Sequence, residues 1–191
     1  CQGNLKQFGM IFKLYSDASK DGRYTTVALQ DGVWIFDLRT LYPNYLTDAQ
    51  VLVCPGDPEG PERVKAIRAA LAQSPPDFAT ANRLAAHAYT YTGYAVANQE
   101  ELDTLVTAGG ALARESEVET PQGVLHRLAK QANGTGTDLP VLFETRAGAE
   151  ASHRGDIINV LYADGHTASL PYPGPFPATP EAAKALAPAA P

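Results

Sequence analysis

Cysteine is scarce in this 191-residue chain: only Cys1 and Cys54 occur, beside four histidines. Neither cysteine has a close Cys or His neighbour, so the ligand spacing of a structural zinc site is absent. Positive charge is in deficit too, with 15 basic against 21 acidic residues and a formal net charge of -6. No Lys/Arg cluster interleaves with aromatics. The basic face that a phosphate backbone requires is therefore missing, and nucleic acid is not an expected partner. No apolar run approaches the roughly 20 residues of a membrane helix, and no secretory leader is visible. The chain nevertheless opens at Cys1 in what reads as a helix, so a processed or anchoring segment is expected upstream. None of Ser16, Ser19, Ser74, Ser116, Ser152 and Ser169 lies in a Gly-x-Ser-x-Gly context. The "ANGTGTD" stretch lacks the Lys-Ser/Thr of a phosphate loop. No internal repeat appears.

What is present is enough apolar material for one core. Hydrophobic residues make up 45% of the chain, which suits one folded domain with insertions. The opening stretch predicts an amphipathic helix: Leu5, Phe8, Phe12 and Tyr15 recur at three- and four-residue steps, and Ile11 widens the stripe. Gly3 and Gly9 each weaken such a helix by roughly 1 kcal/mol relative to Ala, so its stability has to come from packing. Gly22 is the expected stop. The segment 24–42 reads two ways. Asp31-Gly32 suits a hairpin turn, whereas Trp34, Asp37, Leu38 and Leu41 sit at helical steps; a helix is favoured for the second half.

Further on, "AQVLVC" predicts a short buried strand and Pro61-Glu62 opens a helix through Leu71. Asp77 or Thr80 caps another helix, placing His87 at the start of a Tyr-rich strand over 89–96. Asn98 caps a helix ended by Gly109-Gly110. The polar "ESEVETPQG" reads as exposed, "GVLHRLAKQ" as a short helix carrying His126, and "LPVLFET" as a strand. The runs flanking Asp164-Gly165 predict a hairpin with a two-residue turn. The domain is expected over 1–177, with 178–191 a loose Ala/Pro-rich tail.

Two sites invite chemistry. Cys1 and Cys54 are either free thiols or a bridge, and closing a loop of about 50 residues would contribute roughly 3–4 kcal/mol. His153 and His166 bracket "HRGDIINVLYADGH". As the ends of one strand they stand too far apart to share a metal. Asp164 and His166 could form a metal or acid/base pair with Glu144 or Asp156; an oxygen-rich loop can hold calcium, but no EF-hand-like run of alternating carboxylates is present and "TRAGAEASHRGD" adds only Glu150 and Asp156. A metal-dependent hydrolase at this end is the weakest alternative, because no nucleophile accompanies the histidines. The structural reading of the stretch needs no ligand, and no cofactor is expected. Nine tyrosines serve either the core or an aromatic interaction face.

Several segments together resemble one family, the pseudopilin or prepilin-like proteins with a C-terminal H-x-DG signature. "CQGNLKQFGMIFKLYSD" is similar to the stretch that follows that family's hydrophobic N-terminal helix. "LYPNYLTDAQVLVCPGDP" resembles its middle motif and "YTYTGYAV" its Tyr-rich strand. "LPVLFE", "HRGDIINVLYADGH" and "YPGPFPATPE" resemble its C-terminal end, with His153, Asp164, Gly165 and His166 at the signature positions. Ten residues lie between His153 and Asp164, one more than the signature usually has, which predicts a longer turn or a bulge before the strand.

The resemblance implies an α+β, pilin-like fold in which the N-terminal amphipathic helix packs on a small antiparallel sheet and further helices are inserted. It implies a non-enzymatic filament subunit of a type II secretion or type IV pilus-like system. Its partners would be other pilin-like subunits and exported cargo, with membrane contact only through a hydrophobic helix upstream. It places the domain in the periplasm or outside the cell, anchored to the inner membrane before assembly, where a Cys1–Cys54 bridge persists. A cell-envelope module binding glycan or protein is the alternative use of such a fold.

Overall fold

A computed structural model describes residues 1–30, 33–108, 117–120, 123–128, 138–153 and 155–187. Helix α1 (Gln2–Ala18) buries Leu5, Phe8 and Phe12 completely, as the three- and four-residue spacing requires. Tyr15 and Ile11 pack at the margin of the same stripe. The helix stops at Ala18, ahead of the expected Gly22, which lies in the turn beyond it. Gly9 has a packing reason: a Cβ there would stand 3.2 Å from Leu161 Cδ1. The helix loses propensity at this point and gains a close approach to the sheet.

That sheet has four antiparallel strands in the order β3 (Tyr89–Thr90), β6 (Pro140–Glu144), β7 (Ile157–Tyr162), β8 (Thr167–Pro171). The chain is thus α+β, an N-terminal helix on a small antiparallel sheet. The core between them is aromatic. Phe8 lies 4.9 Å from Phe36 and 5.5 Å from Tyr89, and Phe12 lies 5.3 Å from Tyr91, all ring-centroid separations in the favourable range. Tyr91 is fully buried and its hydroxyl donates to Thr25 O at 2.8 Å. Tyr89, Tyr91 and Tyr94 are all core residues, so these three supply no exposed aromatic face.

The hairpin alternative holds at 27–36. β1 (Val27–Gln30) pairs with β2 (Val33–Phe36), while the joining residues Asp31 and Gly32 lie outside the described set. The favoured helix shrinks to α2 (Leu38–Leu41). All four β2 residues are buried, and a continuously buried apolar run of four suits a strand. Asp37 then caps α2 by accepting from Arg39 N at 3.0 Å. Trp34 shares the helical spacing only by coincidence.

Three further expectations are corrected. The stretch Ala49–Leu52 is a 3-10 turn rather than a strand. Asp48 caps it, accepting from Gln50 N at 2.9 Å, and the side chain of Asn4 takes the carbonyls of Val51 (3.2 Å) and Val53 (2.8 Å). Backbone acceptors satisfied in this way need no strand partner. Residues Gly123–His126 form strand β5, not a helix, paired to β4 (Glu117–Thr120) within the stretch read as exposed loop. The Tyr-rich strand is only Tyr89–Thr90, continued by an isolated bridge from Tyr94 to Arg127.

The remaining helices surround this frame. α3 (Gly60–Leu71) and α4 (Phe78–Ala85, capped by Asp77 accepting from Thr80 N at 3.0 Å) follow the predicted starts. α5 (Gln99–Ala108) begins after Asn98, whose side chain accepts from Glu101 N at 3.0 Å; Gly109-Gly110 lie outside the described residues. α6 (Arg146–His153) and α7 (Pro180–Ala185) complete the set. The described part of the segment after 177, residues 178–187, packs on the core. Ala178 and Ala182 are fully buried, Leu186 nearly so, and Thr179 caps α7 by accepting from Ala182 N at 3.0 Å. No helix among the described residues is long and apolar enough to cross a membrane.

Candidate functional site

Three elements end at one buried carboxylate. Glu144 closes β6, His153 closes α6 and Asn159 sits in β7. The Glu144 side chain is fully buried. Its Oε2 accepts from His153 Nε2 at 2.9 Å, Asn159 N at 2.9 Å and Asn159 Nδ2 at 2.8 Å. Ser169 Oγ donates to Asn159 Oδ1 at 2.6 Å, and Gln2 Nε2 donates to Ser169 Oγ at 2.8 Å. One polar chain thus runs from α6 across β7 and β8 to the first turn of α1. A charged group taken out of water needs such partners. The other oxygen, Oε1, has none among the described residues.

The disulfide lies against this chain. Cys1 and Cys54 are bonded, with Cα atoms 5.2 Å apart, so the open choice between free thiols and a bridge resolves to the bridge. The Cys1 sulfur, a Glu144 oxygen and a His153 ring nitrogen lie within 4.8 Å of one another. They are the one group of metal-ligand type among the described residues, and its sulfur is committed to the bond with Cys54. Neither Asp164 nor His166 belongs to it, nor do Glu150 or Asp156, so the calcium set considered from sequence is not gathered.

Asp164, Gly165 and His166 form the tip of the β7–β8 hairpin. The loop has three residues, 163–165, rather than two: Tyr162 N donates to His166 O at 3.0 Å and Gly165 N to Tyr162 O at 2.9 Å. Gly165 adopts φ +95°, the left-handed position that closes a three-residue hairpin. Asp164 Oδ1 accepts from His166 N at 2.9 Å and lies 2.6 Å from His166 Nδ1. The His166 backbone N–H, with its ring and the charge of Lys13 behind it, holds the Asp164 carboxyl below the usual carboxylate range. His166 stacks on Tyr162 at 4.5 Å, and Lys13 Nζ donates to Asp164 O at 3.1 Å. These contacts pin the hairpin tip to α1. His166 adjoins Tyr162 whereas His153 adjoins Asn159, roughly 10 Å apart at 3.3 Å per strand residue; no shared metal centre is assembled.

His153 ends a helix rather than preceding a strand in a loop, and Gly155 (φ +72°) reverses the chain into β7. The irregular register lies in β6 between Pro140 and Leu142, not before β7.

The opposite face of the sheet is open. Phe143, Ile158 and Thr90 alternate with Glu144, Asn159 and Tyr89 and line a cleft of about 660 Å³ walled by β2, α3, α4, α6 and α7. His87, beside it, lies after α4 rather than in a strand. Its Nε2 is 3.8 Å from Asp57 Oδ2, which also pairs with Arg63 Nε at 3.2 Å. Burial, reinforced by Arg63, pushes the imidazole below its ordinary value against the pull of Asp57 and Glu59, which favours the neutral form.

Sequence reasoning weighed Glu144 for calcium and missed its bond to His153. The signal was the fully apolar run ending in Glu: a charge closing a buried strand demands a partner. The cleft left no signal, since its four basic residues come from four separate helices. Comparison with known proteins finds no matching family model, no matching curated protein and no matching solved structure.

Proposed function

We propose that this chain is the globular domain of a pilin-like filament subunit, of the pseudopilin kind that serves type II secretion or a type IV pilus-like assembly. The observation that carries the reading is the two-sided character of α1. Its inner stripe is sealed on the sheet, while Met10 and Leu14, one turn apart, stand 59% and 58% exposed on the outer side. A helix with apolar residues on both sides suits a rod that clasps its own sheet and also lies against neighbouring rods. The Cys1–Cys54 bridge agrees with an oxidising compartment, hence with a periplasmic or extracellular domain.

In this reading the protein is non-enzymatic. A hydrophobic helix preceding Cys1 bundles in the filament, and this domain decorates the outside and meets other subunits or cargo. The gene should encode a short basic leader and about 20 apolar residues immediately before Cys1. The full-length protein, expressed in a bacterial envelope, should give filaments by electron microscopy. Met10→Glu with Leu14→Glu should abolish them while the domain melts as before. A coding sequence without that apolar run, or filaments indifferent to the double substitution, would sink the proposal. The alternative of an envelope binding module draws support from the cleft on the far face.

A further inference from the structure

The cleft differs from the rest of the surface in charge. The chain carries a formal net charge of -6, yet Arg63, Arg83, Arg146 and Lys184 all line this one hollow. Two of them are neutralised locally. Arg63 pairs with Asp57 at 3.2 Å and Glu59 at 2.8 Å. Arg146 pairs with Glu150 at 2.8 Å, bonds Gly155 O, and lies 4.2 Å above the Tyr172 ring. The carboxylate of Glu144 is turned to the other face of the sheet, where Asn159 and His153 hold it. Arg83 makes only a 3.5 Å contact to Thr80 Oγ1, and neither Arg83 nor Lys184 has an ion-pair partner among the described residues. Two cations without a close ion pair among the described residues, Arg83 in the field of Asp77 and Lys184, therefore border a hollow lined by Trp34, Phe143 and Ile158.

We infer that this cleft is a binding site for a small organic anion with a flat apolar body, its acidic group held by Arg83 and Lys184 and its ring system laid on Trp34 and Phe143. The volume lies within the range of small-molecule sites, which combine an apolar lining with a few placed polar groups. Guanidinium and ammonium groups supply the complementary charge, and Arg adds the planar donor fork that a carboxylate or sulfonate accepts. The site lies on the face away from α1, so it stands or falls independently of filament assembly.

The test is a fluorescence titration of the 191-residue chain with 8-anilinonaphthalene-1-sulfonate, run beside the uncharged N-phenyl-1-naphthylamine. The sulfonate should bind saturably at one site, about tenfold more tightly than the neutral probe. Arg83→Gln with Lys184→Gln should weaken it at least fivefold without changing the melting temperature. Ala183→Trp, which fills the cleft, should abolish it; should that variant fail to fold, the charge variant decides. Met10→Glu, on the outer side of α1, should leave the titration unchanged. Equal affinity for both probes, an absence of saturation, insensitivity to the charge variant, or loss on Met10→Glu would each overturn the inference.

Discussion

Under α1 the sheet is closely packed: Leu161 meets Gly9, Tyr89 meets Phe8, and Oε2 of Glu144 receives three donors. One residue along each strand, Phe143, Ile158 and Thr90 face the cleft instead. Strand alternation alone distributes these residues, so the same short strands carry a packed side and a receptive side. The difference teaches where substitutions should be costly. On the α1 side a lost atom leaves a void or an orphaned donor, whereas on the cleft side part of the neighbouring space is already a hollow, although Phe143, Ile158 and Thr90 are themselves buried.

The comparison breaks first at Phe8. Truncation to Ala should cost about 3–5 kcal/mol by denaturant unfolding, because Phe36, Tyr89 and Phe12 all lose their partner. A cost below about 1 kcal/mol would mean that α1 is not seated as described. Next comes the bridge. Cys1→Ser with Cys54→Ser should lower stability by roughly 3–4 kcal/mol in the chain-entropy account, read from midpoints with and without reductant. Glu144→Leu should follow at about 1–3 kcal/mol, since Asn159 N, Asn159 Nδ2 and His153 Nε2 lose their acceptor together.

The smallest effect belongs to the cleft side and depends on pH. The fold holds His87 below its ordinary value, so the folded state binds its proton less readily than the unfolded chain. Above the unfolded value of about 6.5 both states are neutral and the residue imposes no penalty. Below it the unfolded chain protonates first and stability falls. Melting temperatures at pH 7.5 and 5.5 should therefore drop more for the native chain than for His87→Gln. An equal drop would assign the acid sensitivity elsewhere.

Much of the packed side was legible in the sequence. The spacing of Leu5, Phe8 and Phe12 marked the buried stripe, and Asp77 and Asn98 marked helix starts through local side-chain bonds. Asp164-Gly165 marked a hairpin, though the third loop residue depended on a φ that only Gly165 reveals. What failed was decided at long range. Val33–Phe36 became a strand because β1 offered a partner, and Ala49–Leu52 is a turn whose Val51 carbonyl, with that of Val53 just beyond it, is taken by the side chain of Asn4, 47 residues away from Val51. The cleft escaped notice entirely, since Arg63, Arg83, Arg146 and Lys184 share no motif and meet only through tertiary packing.

The Cys1–Cys54 bond has a mechanical meaning. A pull on the leading end of α1 would ordinarily peel the helix from the sheet turn by turn, each contact yielding alone. With Cys1 welded to the loop after Ala49–Leu52, the load enters the body of the domain at two points at once. A pull on Cys1 would then pass through the bond to Cys54 and bypass the contacts of Leu5, Phe8 and Phe12, which need not yield first.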